Sequence, residues 1–421
     1  MENSDPSKPS AVTAKDRQSA FSSLRHRDFR LLWIGQSISI TGSQMQLAAI
    51  NWHIYLLTHS ALALGLVGAC RAVPIILCSL MGGVVADVVD RRRLMVVTQT
   101  IMLLCSAILA LVTFSGLRHA WPIFLLTAIA SAAWAFDTPA RQSLMPTLVP
   151  IKDFPNAASL SILVFQIGLI SGPPLAGFLL ATRGPDLVYG INAASFIAVI
   201  VGLLLMHTSG KPEKSETEKS EISLNALVEG LRFVWRTPII VQTMTLDFVA
   251  TFFASANQLL PIYAKDILNV GARGYGLLGA APAMGAIVAG LIMARLGVLK
   301  KQGVTVIVSV AFYGAAMIAF GLSRVFWISL LMLALTGAAD TVSTILRQTI
   351  RQLVTPNKLR GRMTSINMIF FMGGPQLGEV EAGTVAALFG APISVVTGGA
   401  ACVVAAVFAL IKARNLRRYE Q

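Results

Sequence analysis

Charged side chains are scarce in this sequence, so the few that interrupt its apolar runs are the first candidates for chemistry. Arg71 and Asp247 stand near the middle of two such runs, Asp340 near the end of a third, and Glu379 and Glu381 towards one end of a fourth. In hydrocarbon a lone ion costs at least about 2.5 kcal/mol on insertion scales, so each group needs a partner, water or a proton. That is the chemistry of a proton carrier. Burial and a neighbouring cation shift a carboxyl in opposite directions, so a movement that changes their separation loads or releases the proton. Residue counts from the ends of their runs put Asp247 roughly 12 Å and Arg71 roughly 15 Å from opposite surfaces of the apolar layer. Asp247 is therefore expected to carry the proton with Arg71 tuning it, and Glu379 and Asp340 are the next candidates. Glu379 and Glu381 lie about 200° apart on a helix, so both are not expected to face inward.

Uncharged polar residues add a second set. Gln36, Gln44, Gln46, Asn51 and His53 in the first run, with Asn257 and Gln258 in the seventh, suit a wet route through the layer. Hydrogen bonding between helices is the alternative use of each. Trp134 and Phe136 offer rings to a ring-bearing substrate, with packing as their alternative role.

Other chemistries find little support. The five histidines, His26, His53, His59, His119 and His207, are scattered and form no metal or nucleophile pattern. Cys70, Cys78, Cys105 and Cys402 fall in apolar runs without metal-ligand spacing and read as small packing residues. No Gly-Lys-Ser/Thr phosphate loop is present, so ATP hydrolysis by this chain is not expected. The expectation is a protein that is not an enzyme, with no cofactor and no metal. A receptor or channel is disfavoured by the number of runs and by the lack of a repeated filter sequence.

The elements that position these residues follow from composition. Hydrophobic residues make up 55% and charged residues 13% of the 421 residues, against roughly 25% charged in soluble domains. Apolar runs of about 20 residues, each able to cross a ~30 Å hydrocarbon core, recur along nearly the whole chain. They predict twelve spans, at 31–57, 61–85, 94–115, 121–140, 157–181, 187–207, 239–262, 275–294, 303–322, 325–345, 363–389 and 391–411. The fold class is thus an all-α integral membrane protein.

Charge sets the orientation. With both termini cytoplasmic, roughly 28 of the 34 Lys and Arg lie on the inner side and about 5 outside, in accord with the positive-inside rule. The net charge of +14 is then carried by short loops such as Arg91, Arg92 and Arg93 that face water and lipid headgroups, and no nucleic acid partner is expected. Residues 1–28 read as a cytoplasmic tail, 29–207 as a six-helix half, 208–238 as a cytoplasmic linker ending in an amphipathic helix, 239–411 as a second six-helix half and 412–421 as a cytoplasmic tail.

The halves share a repeat. RQSLMPTLVP at 141–150 returns as RQTIRQLVTP at 347–356, each after the fourth span of its half. An even number of spans separates the copies, so the repeat is parallel and the two halves enclose a central cavity. Alternating access is the transport mode this architecture favours.

The loop after the second span reads GVVADVVDRRRL from Gly83 to Leu94. Gly83 is expected to permit close helix approach, Asp87 puts an anion at a helix end, and Arg91 and Arg92 begin a basic turn. Asp137 ends the fourth span nearby and is expected either to pair with Arg91 or Arg92 when the cytoplasmic side closes or to make a local cap. Here the chain resembles the major facilitator superfamily, whose corresponding loop carries Gly, Asp four residues on, and a basic cluster. The resemblance implies that Asp87 contacts the N-terminal end of the eleventh helix, where free N–H groups and the helix dipole favour an anion. Val88 stands where the family usually has Arg, and Asp90 where it usually has Gly. The matching stretch of the second half, GLIMARLG from Gly290 to Gly297, has Ala294 in place of the acid.

In the fifth span, GLISGPPLAG from Gly168 to Gly177 resembles the superfamily's antiporter motif, with Ala176 replacing the first of the closing glycine pair. Gly168 and Gly172 leave a groove for a neighbour, Pro173 removes a backbone donor, and Gly177 closes the motif. PTLVPIKDFPNAASL and EGLRFVWRTPI are similar to the enterobactin exporter group. That similarity implies efflux of a small amphipathic molecule, a siderophore of the enterobactin type, from the inner membrane by a proton antiporter. It also implies contact of the second and eleventh helices, which makes Glu379 a competing partner for Arg71. Related branches export macrolides and other drugs. Protons, membrane lipids and the cargo are the expected partners of a monomer. The topology is checked by cysteines placed singly at Lys301 and Arg324: impermeant reagents should label them from the inner and outer faces respectively, and labelling from one face contradicts the span assignment.

Overall fold

The computed structural model describes residues 21–211, 231–253, 256–297, 299–356 and 359–419. Most of the 1–28 tail and of the 208–238 linker lies outside them.

Among the described residues twelve long helices follow in order: α1 (Arg27–Thr58), α2 (Ala61–Val88), α3 (Arg91–Phe114), α4 (Trp121–Leu144), α5 (Phe154–Thr182), α6 (Pro185–Leu205), α7 (Pro238–Phe253), α8 (Gly271–Leu296), α9 (Gln302–Leu322), α10 (Phe326–Val354), α11 (Arg360–Phe389) and α12 (Ala391–Lys412). Ten segments among the described residues are long and apolar enough to cross a membrane by length and composition. The other two long helices, α1 and α11, are more polar: α1 carries five of the amides and imidazoles noted above, and α11 the two glutamates. The bundle's outer surface shows the bilayer as solvent. Large apolar side chains such as Leu77, Leu111, Phe114, Val404 and Phe408 stand exposed, as a lipid-facing surface requires.

The seventh span differs from its expected form. In place of one helix, α7 stops at Phe253 and the chain continues through a 3₁₀ turn (Ala256–Leu259), a short α turn (Leu260–Ile262) and a π turn (Tyr263–Ile267). Pro261, which lacks a backbone N–H, sits within this rearrangement.

Within the first half, α1 packs on α5 and α6, α3 on α4 and α6, and α2 on α4; shifting each number by six gives the pairs of the second half, α7 on α11 and α12, α9 on α10 and α12, and α8 on α10. That correspondence is the parallel repeat in three dimensions. The halves meet along two helix pairs, α2 with α11 and α5 with α8.

The loops rich in Arg and Lys lie at one end of the bundle, the basic end. Asp90 caps α3 there, accepting from the N–H groups of Arg92 (3.0 Å) and Arg93 (3.1 Å). This explains an acid at a position where the superfamily usually has glycine: it satisfies two N–H groups at the helix start.

Candidate functional site

At the opposite end the halves are drawn together. A Cβ on Gly177 would lie 2.5 Å from the Ala272 carbonyl oxygen and 2.9 Å from Gly276 Cα, and one on Gly383 would lie 2.6 Å from Gly65 Cα. Only glycine permits backbones this close. Trp52 stacks on Tyr275 at 5.3 Å, Tyr275 donates to the Ala48 carbonyl (3.0 Å), and Tyr55 donates to the Asp266 carboxylate. The Arg71–Glu379 pair, 3.9 Å apart, also crosses the seam.

Below this closure lies a cavity of 320 Å³. Gln36, Gln44 and Gln46 of α1, Arg71 of α2, Gln99 of α3, Trp134, Asp137 and Arg141 of α4, Phe165 of α5 and Gln376 of α11 contribute to its wall. Gln36, Gln44 and Trp134 were expected there. Asn51 is not part of the wall: it lies about two turns beyond Gln44 and is buried next to Trp52, in the sealed end. Asn257 is exposed and also outside the wall.

Two clusters hold the buried charges. In the first half Asp137 accepts from Thr98 Oγ1 and Gln99 Nε2, both 3.0 Å, with Arg141 Nε 4.0 Å away on the next turn; Arg141 also donates to Gln36 (3.0 Å). The alternative pairing with Arg91 or Arg92 is not formed. Those two guanidiniums instead donate to the carbonyls of Ser143 (3.1 Å) and Leu204 (2.9 Å) at the ends of α4 and α6, where free carbonyls and the helix dipole attract cations.

In the second half Asp247 pairs with Arg347 (2.8 Å) and Arg351 (3.8 Å), and Arg347 also lies 3.7 Å from Asp340. This replaces the expected Arg71–Asp247 pair. Because α10 runs to Val354, Arg347 and Arg351 lie inside a helix rather than in a loop, one turn apart on the face that meets Asp247. Their side chains are 2% and 3% exposed, whereas Asp340 is 51% exposed. The i, i+4 spacing of the two arginines is the sequence signal that marks them, and it lay within the repeat motif itself.

The gating and antiporter motifs are placed as follows. A Cβ on Gly83 would meet nothing within 4 Å among the described residues, so it does not provide the close approach expected of it; its neighbour Gly82 does, 2.6 Å from the Ala135 carbonyl oxygen. One residue turns a helix by about 100°, and Gly82 is the one that faces α4. The side chain of Asp87 lies outside the described residues. Gly168 and Gly172 press on Ile40 and Gln44 of α1, with Cβ positions 2.8 and 2.5 Å away, while Pro173 and Gly177 meet α8 in the other half.

The profile of the transmembrane secretion effector family matches residues 18–421. The chain belongs to this family of the major facilitator superfamily. Among curated relatives it is 25% identical over 396 residues, 94% of each chain, to the enterobactin exporter EntS of Citrobacter koseri (strain ATCC BAA-895 / CDC 4225-83 / SGSC4696), and it matches the EntS proteins of Shigella boydii serotype 18 and Escherichia coli O157:H7 with the same identity and coverage. Similar solved structures include a bacterial homologue of the human lysosomal transporter Spinster in an inward-facing conformation (TM-score 0.74, 13% identity, covering 94% of this chain and 98% of that one) and the nucleoside transporter NupG (TM-score 0.70, 15%, 93% and 100%). The protein is a multi-pass membrane transporter of the major facilitator fold.

The buried cluster of this transporter yields a stability test. Asp247→Asn leaves two buried guanidiniums without their acid and should cost about 3–5 kcal/mol, whereas Asp340→Asn, half exposed, should cost less than about 1 kcal/mol. Thermal unfolding in detergent compares them, and equal losses contradict the assignment of Asp247 as the shared counter-ion.

Proposed function

We propose that this transporter is a secondary active exporter, moving a siderophore of the enterobactin type out of the cell across the inner membrane in exchange for protons. The observation that carries the reading is the cavity, sealed at one end by contacts between the halves and lined by amides, two arginines and aromatic rings. A wall of this kind suits an amphipathic cargo that presents both hydrogen-bonding oxygens and rings. The names of the curated relatives supply the cargo class, and the GLISGPPLAG segment, seated on the seam, supports efflux.

By the positive-inside rule the basic end is cytoplasmic, with both termini on that side. The sealed end then faces outward, so the described conformation is the one that loads cargo from the cytoplasm. Asp87, Arg91 and Arg92 belong to the gate that closes the basic end in the other state, and Arg71, Asp137, Asp247, Asp340 and Glu379 are the intramembrane groups from which proton coupling draws. Asp247 is held by two arginines, whereas Asp340 is half exposed. The rings Trp134, Phe165 and Phe196 in the wall favour a second reading, multidrug or macrolide efflux. The transporter acts as a monomer in a lipid bilayer, with no cofactor.

Proteoliposomes test both readings. An imposed pH gradient should drive enterobactin movement in the wild type. Asp87→Asn should lower the rate about tenfold at unchanged abundance, on losing up to about 2 kcal/mol of helix-end attraction. Absence of gradient-driven enterobactin movement removes the siderophore reading, and a panel of macrolides in the same vesicles decides the second.

A further inference from the structure

Arg71 is the residue that, among those described, belongs both to the cavity wall and to an ion pair between the halves. Its guanidinium carries five N–H donors, and none of them makes a hydrogen bond among the described residues. The 3.9 Å separation from Glu379 is a charge contact and too long for a hydrogen bond.

Glu379 is held by other means. Gln258 Nε2 donates to its carboxylate at 2.8 Å. Two glycines of α2 form a notch around it: a Cβ on Gly68 would lie 2.7 Å from the Glu379 carboxylate, and one on Gly65 would lie 3.1 Å from its carbonyl oxygen. Gln258 is 2% exposed, and its Oε1 has no partner among the described residues. The amide can therefore serve the carboxyl when ionised, through Nε2, and when protonated, through Oε1. Glu379 keeps its place without Arg71, and Arg71 is a quarter exposed beside an open space.

The charges of the wall point the same way. Arg71 and Arg141 face one acid, Asp137, which already has Thr98, Gln99 and Arg141. The unbalanced cation is Arg71.

We propose that Arg71 is a shared cation, paired with Glu379 across the seam while the cavity is empty and turned to an oxyanion of the cargo when it is loaded, so that loading loosens the seam. The ligand class that fits is a ring-bearing acid with paired oxygens, because a guanidinium meets such a pair with two parallel N–H bonds. Trp134 and Phe165 present rings to the same space. The inference rests on the cavity being the cargo site.

Calorimetric binding to purified protein tests it, with 2,3-dihydroxybenzoate as the acid and its uncharged amide as the control. Glu379→Gln frees Arg71 and should tighten binding of the acid, and Arg71→Gln should weaken it, each by about tenfold, the worth of one charge-assisted contact. Arg71→Lys, which keeps the charge and loses the fork, should fall between the wild type and Arg71→Gln. The amide should change little throughout. A pair that acts only as a clamp moves Glu379→Gln and Arg71→Gln in the same direction. That result overturns the proposal, as does equal binding of acid and amide by the wild type or failure of the wild type to bind the acid. Thermal unfolding verifies that each variant folds. No gradient enters the measurement, so absence of proton-driven export with this binding pattern intact counts against the export reading and leaves the shared cation standing.

Discussion

The main contacts between the two halves of this protein run along two helix pairs, α2 with α11 and α5 with α8, and the close approach of those pairs depends on glycine. Between lipid-exposed helices there is no hydrophobic gain from burying one apolar face on another, so contact comes from van der Waals fit and from polar links. Gly65 and Gly383 in one pair, and Gly177 and Gly276 in the other, let backbone meet backbone at one end of the bundle. The cavity exists because that closure is confined to one end. The polar links across it are Tyr55 to Asp266, Tyr275 to Ala48 and Arg71 to Glu379; Tyr275 adjoins Gly276, and Gly68 borders the Glu379 carboxylate.

Buried charge is the second constraint, and the repeat shows how it is met. Arg141 and Arg347 are the first residues of the two copies of the repeated motif, and each reaches from the fourth helix of its half to the first: Arg141 to Gln36 of α1, Arg347 to Asp247 of α7. The copies have diverged in charge. In the first half the acid, Asp137, is on the same helix as its arginine, and the α1 partner is a neutral amide. In the second half the acid is on α7, a further arginine stands at 351, and Asp340 is half exposed. Such a network is weak evidence for stability, since desolvation offsets much of the attraction. It does fix how α10 sits against α7.

The helices were legible in the sequence because span length and apolar content are set by bilayer thickness, and the repeat was legible because both copies kept their arginine and glutamine. Partners were less so. Arg347 and Arg351 follow an apolar run, and a span drawn by hydropathy alone ends before them; the helix continues because a buried acid on the neighbouring α7, Asp247, accepts the charge. Residue counting puts Arg71 and Asp247 at a similar depth, but they lie on helices that are not packing partners, a matter of lateral arrangement that such counting cannot supply. Gly82 and Gly83 differ by one position, and only the facing of α2 towards α4 decides which one matters. Asn51 has the polarity of a cavity residue, yet two helical turns carry it past Gln44 into the sealed end.

The central claim is that the halves move as bodies about a seam closed at one end. In cysteine-free protein, with all four native cysteines replaced, spin labels at His119 and Arg324 span the halves at the sealed end, and labels at Arg93 and Lys300 span them at the basic end. Pulsed electron spin resonance in lipid nanodiscs, with and without enterobactin and across pH, reads both distances. The account predicts reciprocal change: whenever the sealed-end pair lengthens, the basic-end pair shortens. Two distances that lengthen together, or that hold constant under every condition, contradict it.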